Sequence, residues 1–239
     1  MTPKTQKPYS HAFWYDLTYE WKNYAHDSQI LQDIIAQYQQ SKGNSILEVA
    51  CGTGNYISHF LPKYQMTGVD LSEDMLAVAR QKFPNVEFYQ NDMRNFSLPQ
   101  EFDVVMCLFS SIAYLGEADL LPTIANFAKH TRQGGLVIVE PFVDPDKVNP
   151  KHLHFLKVEK PDVLISRHSV AQREDNKLIL NFHFLVTTEQ STSYFQEKHI
   201  TTLFEPQVMQ QTFEQCGLQT YRFENGLMPD RSLFVGVKL

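Results

Sequence analysis

Apolar residues follow two different spacings along the first part of the chain. Continuous apolar runs predict buried strands at 45–50, 66–70, 86–90, 102–108 and 136–140. Between these runs, apolar residues recur every three or four positions, as along 27–39 and 120–128, and this spacing predicts amphipathic helices. Strands that alternate with helices are connected by βαβ crossovers, so the sequence predicts an α/β fold with a parallel sheet. Runs that are apolar throughout are typical of strands buried on both faces.

A second pattern begins after residue 141. Pro141, Pro145 and Pro150 predict a linker, and 153–204 then alternates Val, Ile, Phe and Thr with polar residues. This alternation predicts an antiparallel β insert of about four strands within 142–205. A helix near 207–216 and a last strand at 233–237 return the chain to the main domain. We therefore divide the chain into one domain, formed by 1–141 and 206–239, and the insert.

Composition excludes several classes of protein. The 239 residues carry a net charge of −6, which argues against a nucleic-acid partner. No apolar run approaches the length of a membrane span, and 1–11 lacks the apolar core of a secretory signal. The three cysteines form no closely spaced pair, and His152 and His154 lack an acidic cluster, so we expect neither disulfides nor a metal site. These features together predict a cytoplasmic protein.

The main chemical signal is a glycine-rich loop after the first predicted strand. The segment 46–54 reads Ile-Leu-Glu-Val-Ala-Cys-Gly-Thr-Gly, and such small residues let a ligand approach the backbone. Asp70 ends the second strand, where a carboxylate can accept hydrogen bonds from both ribose hydroxyls of an adenosine ligand. A dinucleotide fingerprint would need a third glycine, which is missing here. Glu48 would repel a pyrophosphate but would suit a cationic amino acid group.

This pattern, with Asn91-Asp92-Met93 after the third strand, resembles the class I S-adenosylmethionine-dependent methyltransferases. The resemblance implies that Glu48 binds the amino acid end of the cofactor and Asp70 its ribose. It also implies that Asp92 accepts from the adenine amino group and that Met93 covers the ring. Without this resemblance, each residue has an ordinary structural explanation. Glu48 could be a polar residue at a strand end, Asp70 could cap the following helix, and Asp92 could be a turn residue. The implied cofactor-binding set is Glu48, Ala50, Gly52, Gly54, Asp70, Leu71, Asp92, Met93, Leu108 and Lys22.

A closer resemblance covers about residues 9–239. The segments 107–115, 137–142, 199–204 and 232–237 are similar to those of bacterial sugar N,N-dimethyltransferases, which dimethylate the amine of a dTDP-linked aminodeoxyhexose. The resemblance implies a Rossmann-like sheet, an N-terminal lid (1–40) over the cofactor, and a homodimer whose insert helps to shape the acceptor site. The chain departs from the family pattern at Phe142, where tryptophan is usual, and at 19–22, which reads Tyr-Glu-Trp-Lys instead of Gly-Arg-Gly-Lys.

Methyl transfer from a sulfonium needs mainly proximity and alignment, and an acceptor nitrogen must also lose its proton. The resemblance places Tyr15 and Tyr114 near this reaction as candidate catalytic residues. Glu140 is a candidate for holding a polar group of the acceptor. A nucleotide-sugar acceptor carries two phosphates, for which Arg167 and Arg231 are the candidate ligands.

The sequence predicts S-adenosylmethionine-dependent N-methylation of a small-molecule amine, with a dTDP-linked amino sugar as the preferred acceptor and S-adenosylhomocysteine as the co-product. Three alternatives stay open on the residues alone. They are a natural-product methyltransferase acting on a hydroxyl or an amino acid amine, a cofactor-binding protein without turnover, and an NAD-dependent oxidoreductase. The missing third glycine counts against the last.

Overall fold

The structure, a computed structural model, describes residues 5–6, 12–149 and 151–239. Its strands are, in chain order, β1 (Thr5–Gln6), β2 (Ser45–Val49), β3 (Gln65–Asp70), β4 (Glu87–Gln90), β5 (Phe102–Cys107), β6 (Thr131–Val139), β7 (Lys151–Lys160), β8 (Val163–Glu174), β9 (Lys177–Thr188), β10 (Thr192–Thr202), β11 (Leu218–Phe223) and β12 (Leu233–Lys238). Its α-helices are α1 (Ala12–Thr18), α2 (Tyr24–Tyr38), α3 (Ile57–Phe60), α4 (Glu73–Lys82), α5 (Glu117–Lys129) and α6 (Pro206–Gln215). A short 3₁₀ helix spans Ser111–Tyr114.

The continuous apolar runs form the centre of a seven-stranded sheet with the order β11-β12-β6-β5-β2-β3-β4. Neighbours from β4 to β6 are parallel, and β12 and β11 are added antiparallel. Alternate side chains enter two separate cores: Ile46 packs on the side of α2, α3 and α4, and Leu47 on the side of α5 and α6. Burial on both faces explains why these strands are apolar throughout. The predicted parallel α/β fold is confirmed.

The predicted antiparallel insert is also confirmed. Strands β7, β8, β9 and β10 pair antiparallel with one another, and β1 is added parallel to the edge of β10. Along β8, buried and exposed residues alternate, which matches the alternation in the sequence. Ile165, Phe184 and Phe195 form the core of the inner face, and Trp14 of α1 packs against it. The N-terminal helix therefore docks on the insert sheet.

Among the elements that were not predicted, α1 and β11 each lack a strong local signal. Helix α1 has seven residues, too few for a clear periodicity, and its packing depends on contacts with the insert. Strand β11 is mostly half-buried, so it has neither an apolar run nor a clean alternation. Strand β6 begins at Thr131, five residues earlier than the predicted strand at 136–140, and continues through Gly134 and Gly135. The pairing of β5 and β6 is irregular at this point, between Phe102 and Val104.

The start of β2 is fixed by the buried carboxylate of Asp103 on β5. It accepts hydrogen bonds from the backbone N–H groups of Gly43 (3.1 Å) and Ser45 (3.0 Å) and from the Ser45 hydroxyl (2.6 Å). A Cβ on Gly43 would lie 2.2 Å from Asp103 Oδ2, so a side chain there cannot coexist with this arrangement. Burial acts to raise the pKa of Asp103, but the Ser45 hydrogen bonds and the Arg132 charge outweigh it and lower the pKa.

No helix in the described part of the chain is long and apolar enough to cross a membrane.

We expect Asp103→Asn to lower the free energy of unfolding at pH 7 by about 2 kcal/mol, because an amide cannot accept all of these hydrogen bonds. The pKa of Asp103 is lower in the folded protein than in the unfolded chain. The ionised carboxylate therefore contributes its full stabilisation at pH values above the pKa of the unfolded chain. This contribution disappears as pH falls through the pKa of the folded protein. Urea unfolding of both proteins from pH 7 downwards should show the difference shrinking in acid. A difference that does not depend on pH would contradict the role given to the charge.

Candidate functional site

A cavity of about 630 Å³ opens at the carboxyl ends of the parallel strands, where α/β folds of this type bind ligands. Its wall comes from the segments that follow β2, β3, β4 and β5 and from α1. Ten of the residues predicted from the sequence line it: Tyr15, Glu48, Ala50, Gly52, Asp70, Leu71, Asp92, Met93, Leu108 and Tyr114. The predicted cofactor-binding and catalytic residues are thus mostly brought together.

The glycine-rich loop turns sharply after β2. Ala50 (φ +57°), Gly52 (φ +55°) and Gly54 (φ +78°) all have left-handed backbone conformations. For Ala50 this conformation is strained, and such strain is concentrated at functional sites. A Cβ on Gly52 would meet nothing within 4 Å, whereas one on Gly54 would lie 2.9 Å from the Phe83 ring. Gly54 thus shapes the loop through packing and is absent from the described cavity wall.

Asp70 connects this loop to the next segment. Its Oδ2 accepts the Gly52 N–H (2.8 Å) and its Oδ1 accepts the Ser72 N–H (2.8 Å). Ser72 itself caps α4, so the cap of that helix is not Asp70. Burial raises the pKa of Asp70, while the backbone hydrogen bonds act in the opposite direction. Each carboxylate oxygen keeps further acceptor capacity, and the backbone fixes both oxygens at the cavity wall.

Glu48 is almost completely buried at the end of β2, and its Oε2 has no hydrogen-bond partner among the described residues. Burial, together with the negative charge of Asp70, raises its pKa to about 8, although the charge of Lys82 acts in the opposite direction. An unpartnered buried carboxylate is unfavourable unless a donor or a cation comes close. The Glu48 side chain is therefore suited to a cationic ligand group in the cavity.

Asp92 and Met93 form another part of the wall. Arg94 holds Asp92 through Nη2 (2.6 Å) and Nε (3.0 and 3.1 Å), and this hydrogen bonding lowers the pKa of Asp92. Met93 is half-buried and packs against the core on one side of the sheet. An ionised acceptor and an adjacent flat apolar surface suit the edge and the face of a heteroaromatic ring.

Helix α1 is tied to the glycine-rich loop by Asp16. Its carboxylate accepts from the Thr53 hydroxyl, from Asn55 Nδ2 (2.9 Å) and from Lys82 Nζ (3.0 Å). These contacts bring Tyr15 to the cavity. Burial, followed by the neighbouring phenols, raises the pKa of Tyr15 well above its usual value, so it remains a neutral phenol. The sequence analysis gave Asp16 no role, although it directly follows the candidate residue Tyr15.

Lys22 was predicted to belong to the cofactor-binding set, but it is not part of the described cavity wall. Its Nζ lies 2.5 Å from Asp27 Oδ2, and both side chains are buried. The same ammonium lies 4.7 Å from the centre of the Phe109 ring, which does line the cavity. Lys22 thus supports the cavity from behind Phe109.

The acceptor candidates from the insert and its neighbours lie outside this cavity wall. Arg167 is buried between the rings of Phe182 (4.8 Å) and Tyr19 (5.3 Å), and its Nε and Nη1 have no partner among the described residues. Arg231 donates to the Ser110 hydroxyl (2.7 Å) and lies 4.8 Å from the Phe142 ring. Phe142, at the position where the family usually has tryptophan, thus packs its ring against the guanidinium of Arg231.

Glu140 is fully buried at the end of β6. Its Oε2 accepts the Phe109 N–H (2.7 Å), and its Oε1 has no partner in the described part of the chain. Burial raises the pKa of Glu140, although Arg231 and Lys22 lower it. Phe109 and Ser110 have left-handed conformations (φ +50° and +67°), so Glu140 stabilises a strained segment beside the cavity.

Tyr114 connects the cavity to the insert. Its hydroxyl lies 2.5 Å from His199 Nδ1, and His199 Nε2 lies 3.0 Å from Glu197 Oε2. His199 and Glu197 are on β10 and are almost fully buried. Neither was singled out from the sequence, and the only signal was that His199 begins one of the segments that resemble the family.

Comparison with known proteins identifies methyltransferases as relatives of this chain. Residues 46–135 match the family model described as a methyltransferase domain. The chain is 35% identical over 232 residues to the dTDP-3-amino-3,4,6-trideoxy-alpha-D-glucopyranose N,N-dimethyltransferase of Streptomyces venezuelae, an alignment that covers 95% of this chain and 97% of that protein. It is 33% identical over 228 residues to the dTDP-3-amino-3,6-dideoxy-alpha-D-glucopyranose N,N-dimethyltransferase of Streptomyces fradiae, covering 93% and 89%. The crystal structure of Streptomyces venezuelae DesVI superposes with a TM-score of 0.90 at 34% identity, covering 96% of this chain and 99% of that one.

Glu48→Gln should stabilise the ligand-free protein at alkaline pH. The pKa of Glu48 rises from the usual 4.5 to about 8 on folding, so the wild-type protein loses stability as pH increases across that interval. The variant has no charge there, and its free energy of unfolding should exceed that of the wild type by at least about 1 kcal/mol at pH 9. Denaturant unfolding between pH 5 and 9 measures the difference, with the exposed Glu224→Gln as the control. Parallel stability curves for wild type and Glu48→Gln would contradict the raised pKa.

Proposed function

We infer, because the chain belongs to the family of dTDP-aminosugar N,N-dimethyltransferases, that it methylates the amine of a nucleotide-linked amino sugar with S-adenosylmethionine. The observation that carries this inference is the single cavity that holds Glu48 and Asp70 together with Tyr114. Its carboxylates suit the methyl donor, and its phenol suits the incoming amine.

The residues of the cavity fit the cofactor. The unpartnered Oε2 of Glu48 would bind the cofactor's ammonium, and the carboxylate of Asp70 would accept from the ribose hydroxyls. Asp92 and Met93 would hold the adenine. The backbone at Ala50 and Gly52 and the side chains of Leu71 and Leu108 would complete the contacts. When bound, S-adenosylmethionine supplies an electrophilic methyl group, so the main task of these residues is alignment.

The acceptor would approach from the side of α1 and the insert. Tyr15 and Tyr114 are candidates for binding the amine, since both phenols line the cavity. The guanidinium of Arg167 is buried, and two of its nitrogens have no hydrogen-bond partner among the described residues. Burying these donors unpaired is unfavourable, and hydrogen bonds to a bound anion would offset this cost. Together with Arg231 it is our candidate for holding the diphosphate. The unpartnered oxygen of Glu140 can accept from a hydroxyl of the acceptor.

We further propose that the enzyme is a homodimer in the bacterial cytoplasm. The outer face of the insert sheet exposes large apolar side chains, including Leu153, Phe155 and Leu185, and such patches are typical of interfaces. The three cysteines are free, which suits a reducing compartment. The insert would then serve both the acceptor site and the dimer, as the resemblance implies.

The direct test is turnover followed by mass spectrometry. We expect the protein with S-adenosylmethionine and a dTDP-linked amino sugar to give products one and two methyl groups heavier, and we expect dTDP alone to raise the melting temperature. S-Adenosylmethionine binding without any methylated amino sugar would retain the cofactor assignment and overturn the acceptor assignment.

Arg167→Met should raise the KM for the nucleotide sugar about tenfold or more, because a charge-assisted hydrogen bond to phosphate is worth roughly 1.5–3 kcal/mol. The dissociation constant of S-adenosylmethionine, measured by calorimetry, should not change. The matched control is Arg173→Met, since Arg173 is also on β8 but is exposed and bonds the backbone of Pro145 and Asp175. An equal loss of activity with an amino sugar that carries no nucleotide would contradict a phosphate contact.

A further inference from the structure

Behind the cavity, three side chains form a continuous hydrogen-bonded chain. The Tyr114 hydroxyl at the cavity wall meets His199 Nδ1 at 2.5 Å, and His199 Nε2 meets Glu197 Oε2 at 3.0 Å. Tyr114 is partly exposed at 37%, whereas His199 and Glu197 are 2% and 6% exposed. The chain thus runs from the cavity into the inner face of the insert sheet.

The two contacts are consistent with one arrangement of protons. With the Glu197 carboxylate as the acceptor, Nε2 of His199 carries the hydrogen that faces it. In a neutral imidazole the other nitrogen then has a lone pair, and Nδ1 accepts from the Tyr114 hydroxyl. A histidine in this tautomer, with a carboxylate behind it, is arranged to accept a proton through the phenol.

The proposed reaction needs such an acceptor. An alkylamine is mostly protonated at neutral pH, as the lysine side chain is, and an ammonium has no lone pair for attack on a methyl carbon. The first methylation leaves a nitrogen that is again positively charged. This nitrogen must also lose a proton before it can accept a second methyl group.

We propose that Glu197 and His199 are positioning residues that let Tyr114 take the proton from the acceptor amine. The proposal rests on the function inferred above and assigns its proton path. The ammonium gives one proton to the Tyr114 oxygen while Tyr114 gives its own to His199 Nδ1. The phenol is thereby unchanged, the amine becomes neutral, and the imidazolium is paired with Glu197. After the product leaves, the proton returns through Tyr114 to water.

The side chains around His199 come from β9, β10 and α1. Its ring packs on Phe182 of β9, and Arg167 lies on that same Phe182 ring. From α1, Tyr15 and Tyr19 line the small cavity that also contains Glu197 and His199. The titratable or charged groups on this side include the phenols of Tyr15, Tyr19 and Tyr114, the guanidinium of Arg167, and Glu197. Glu197 is the group among them that can stabilise a positive imidazolium.

The test is the pH dependence of kcat/KM for the amino sugar. In His199→Gln we expect kcat/KM at pH 7 to fall on the order of 100-fold. This deficit should shrink as pH rises and the amine becomes neutral in solution. Glu197→Gln should show a smaller deficit with the same trend, because the amide still orients the imidazole but does not stabilise its charge. A loss by the same factor at every pH would show a structural role and overturn the proposal.

The matched control is His183→Gln. His183 on β9 also contacts a tyrosine hydroxyl, that of Tyr194, at 2.8 Å, but the pair lies on the other face of the sheet. This variant should keep the wild-type pH profile. Melting temperature and S-adenosylmethionine affinity, measured for each variant, confirm that the protein is folded.

A second readout does not depend on turnover or on any variant being active. In ¹⁵N-histidine NMR spectra of the wild-type protein, with the His199→Gln spectrum as the assignment, His199 should carry its proton on Nε2. A proton on Nδ1 would point a donor at Tyr114 and overturn the proposal. If the wild-type protein methylates no amino sugar, the proposed function has failed, whereas turnover with parallel pH profiles removes only the role of His199 and Glu197.

Discussion

Burial of the central strands on both faces is the constraint on which the rest of the structure depends. In β2 and β5, successive side chains enter two different apolar cores, so the interior of the sheet has no place for unpaired polar chemistry. In these two strands the ionisable side chains lie near the ends, Asp103 at the start of β5 and Glu48 towards the end of β2. Glu48, Asp70 and Asp92 lie at or just beyond such ends, and because the strands are parallel these ends share one edge. The cavity and its charge are thus consequences of the sheet.

The sheet alone does not form the whole site. The rest consists of α1 and the insert, which reach the cavity from distant parts of the sequence. Asp16 ties α1 to the glycine-rich loop, and Trp14 on the same helix packs on the insert. The pair formed by Tyr114 and His199 joins the insert to the segment after β5. The proposed sites for the methyl donor and the acceptor thereby belong to different structural units. These units contact each other through polar side chains such as Asp16 and through the packing of Trp14.

This division also explains what the sequence could predict. The glycine-rich loop, Glu48 and Asp70 are close to strand ends that show strong apolar runs, so a local pattern was enough to place them. Glu197 and His199 lie in an alternating strand whose inner face is defined only by what packs on it, and nothing local separates them from other polar residues there. For Lys22, the sequence predicted a place near the cavity but not its partner. The ion pair with Asp27 forms only in the folded structure, and no local pattern in the sequence indicates it.

Glu48, Glu140 and Arg167 each hold a buried polar atom that no described residue satisfies. A ligand that satisfied these atoms would restore the stability that they cost, and its occupancy would shift the folding equilibrium by mass action. In a cell, proteases remove molecules that open, so the lifetime of a marginally stable protein follows the fraction that is unfolded. An enzyme built in this way is expected to persist while its substrates are being made and to be cleared once their supply stops. Its abundance would then follow the metabolic flux without a dedicated regulator.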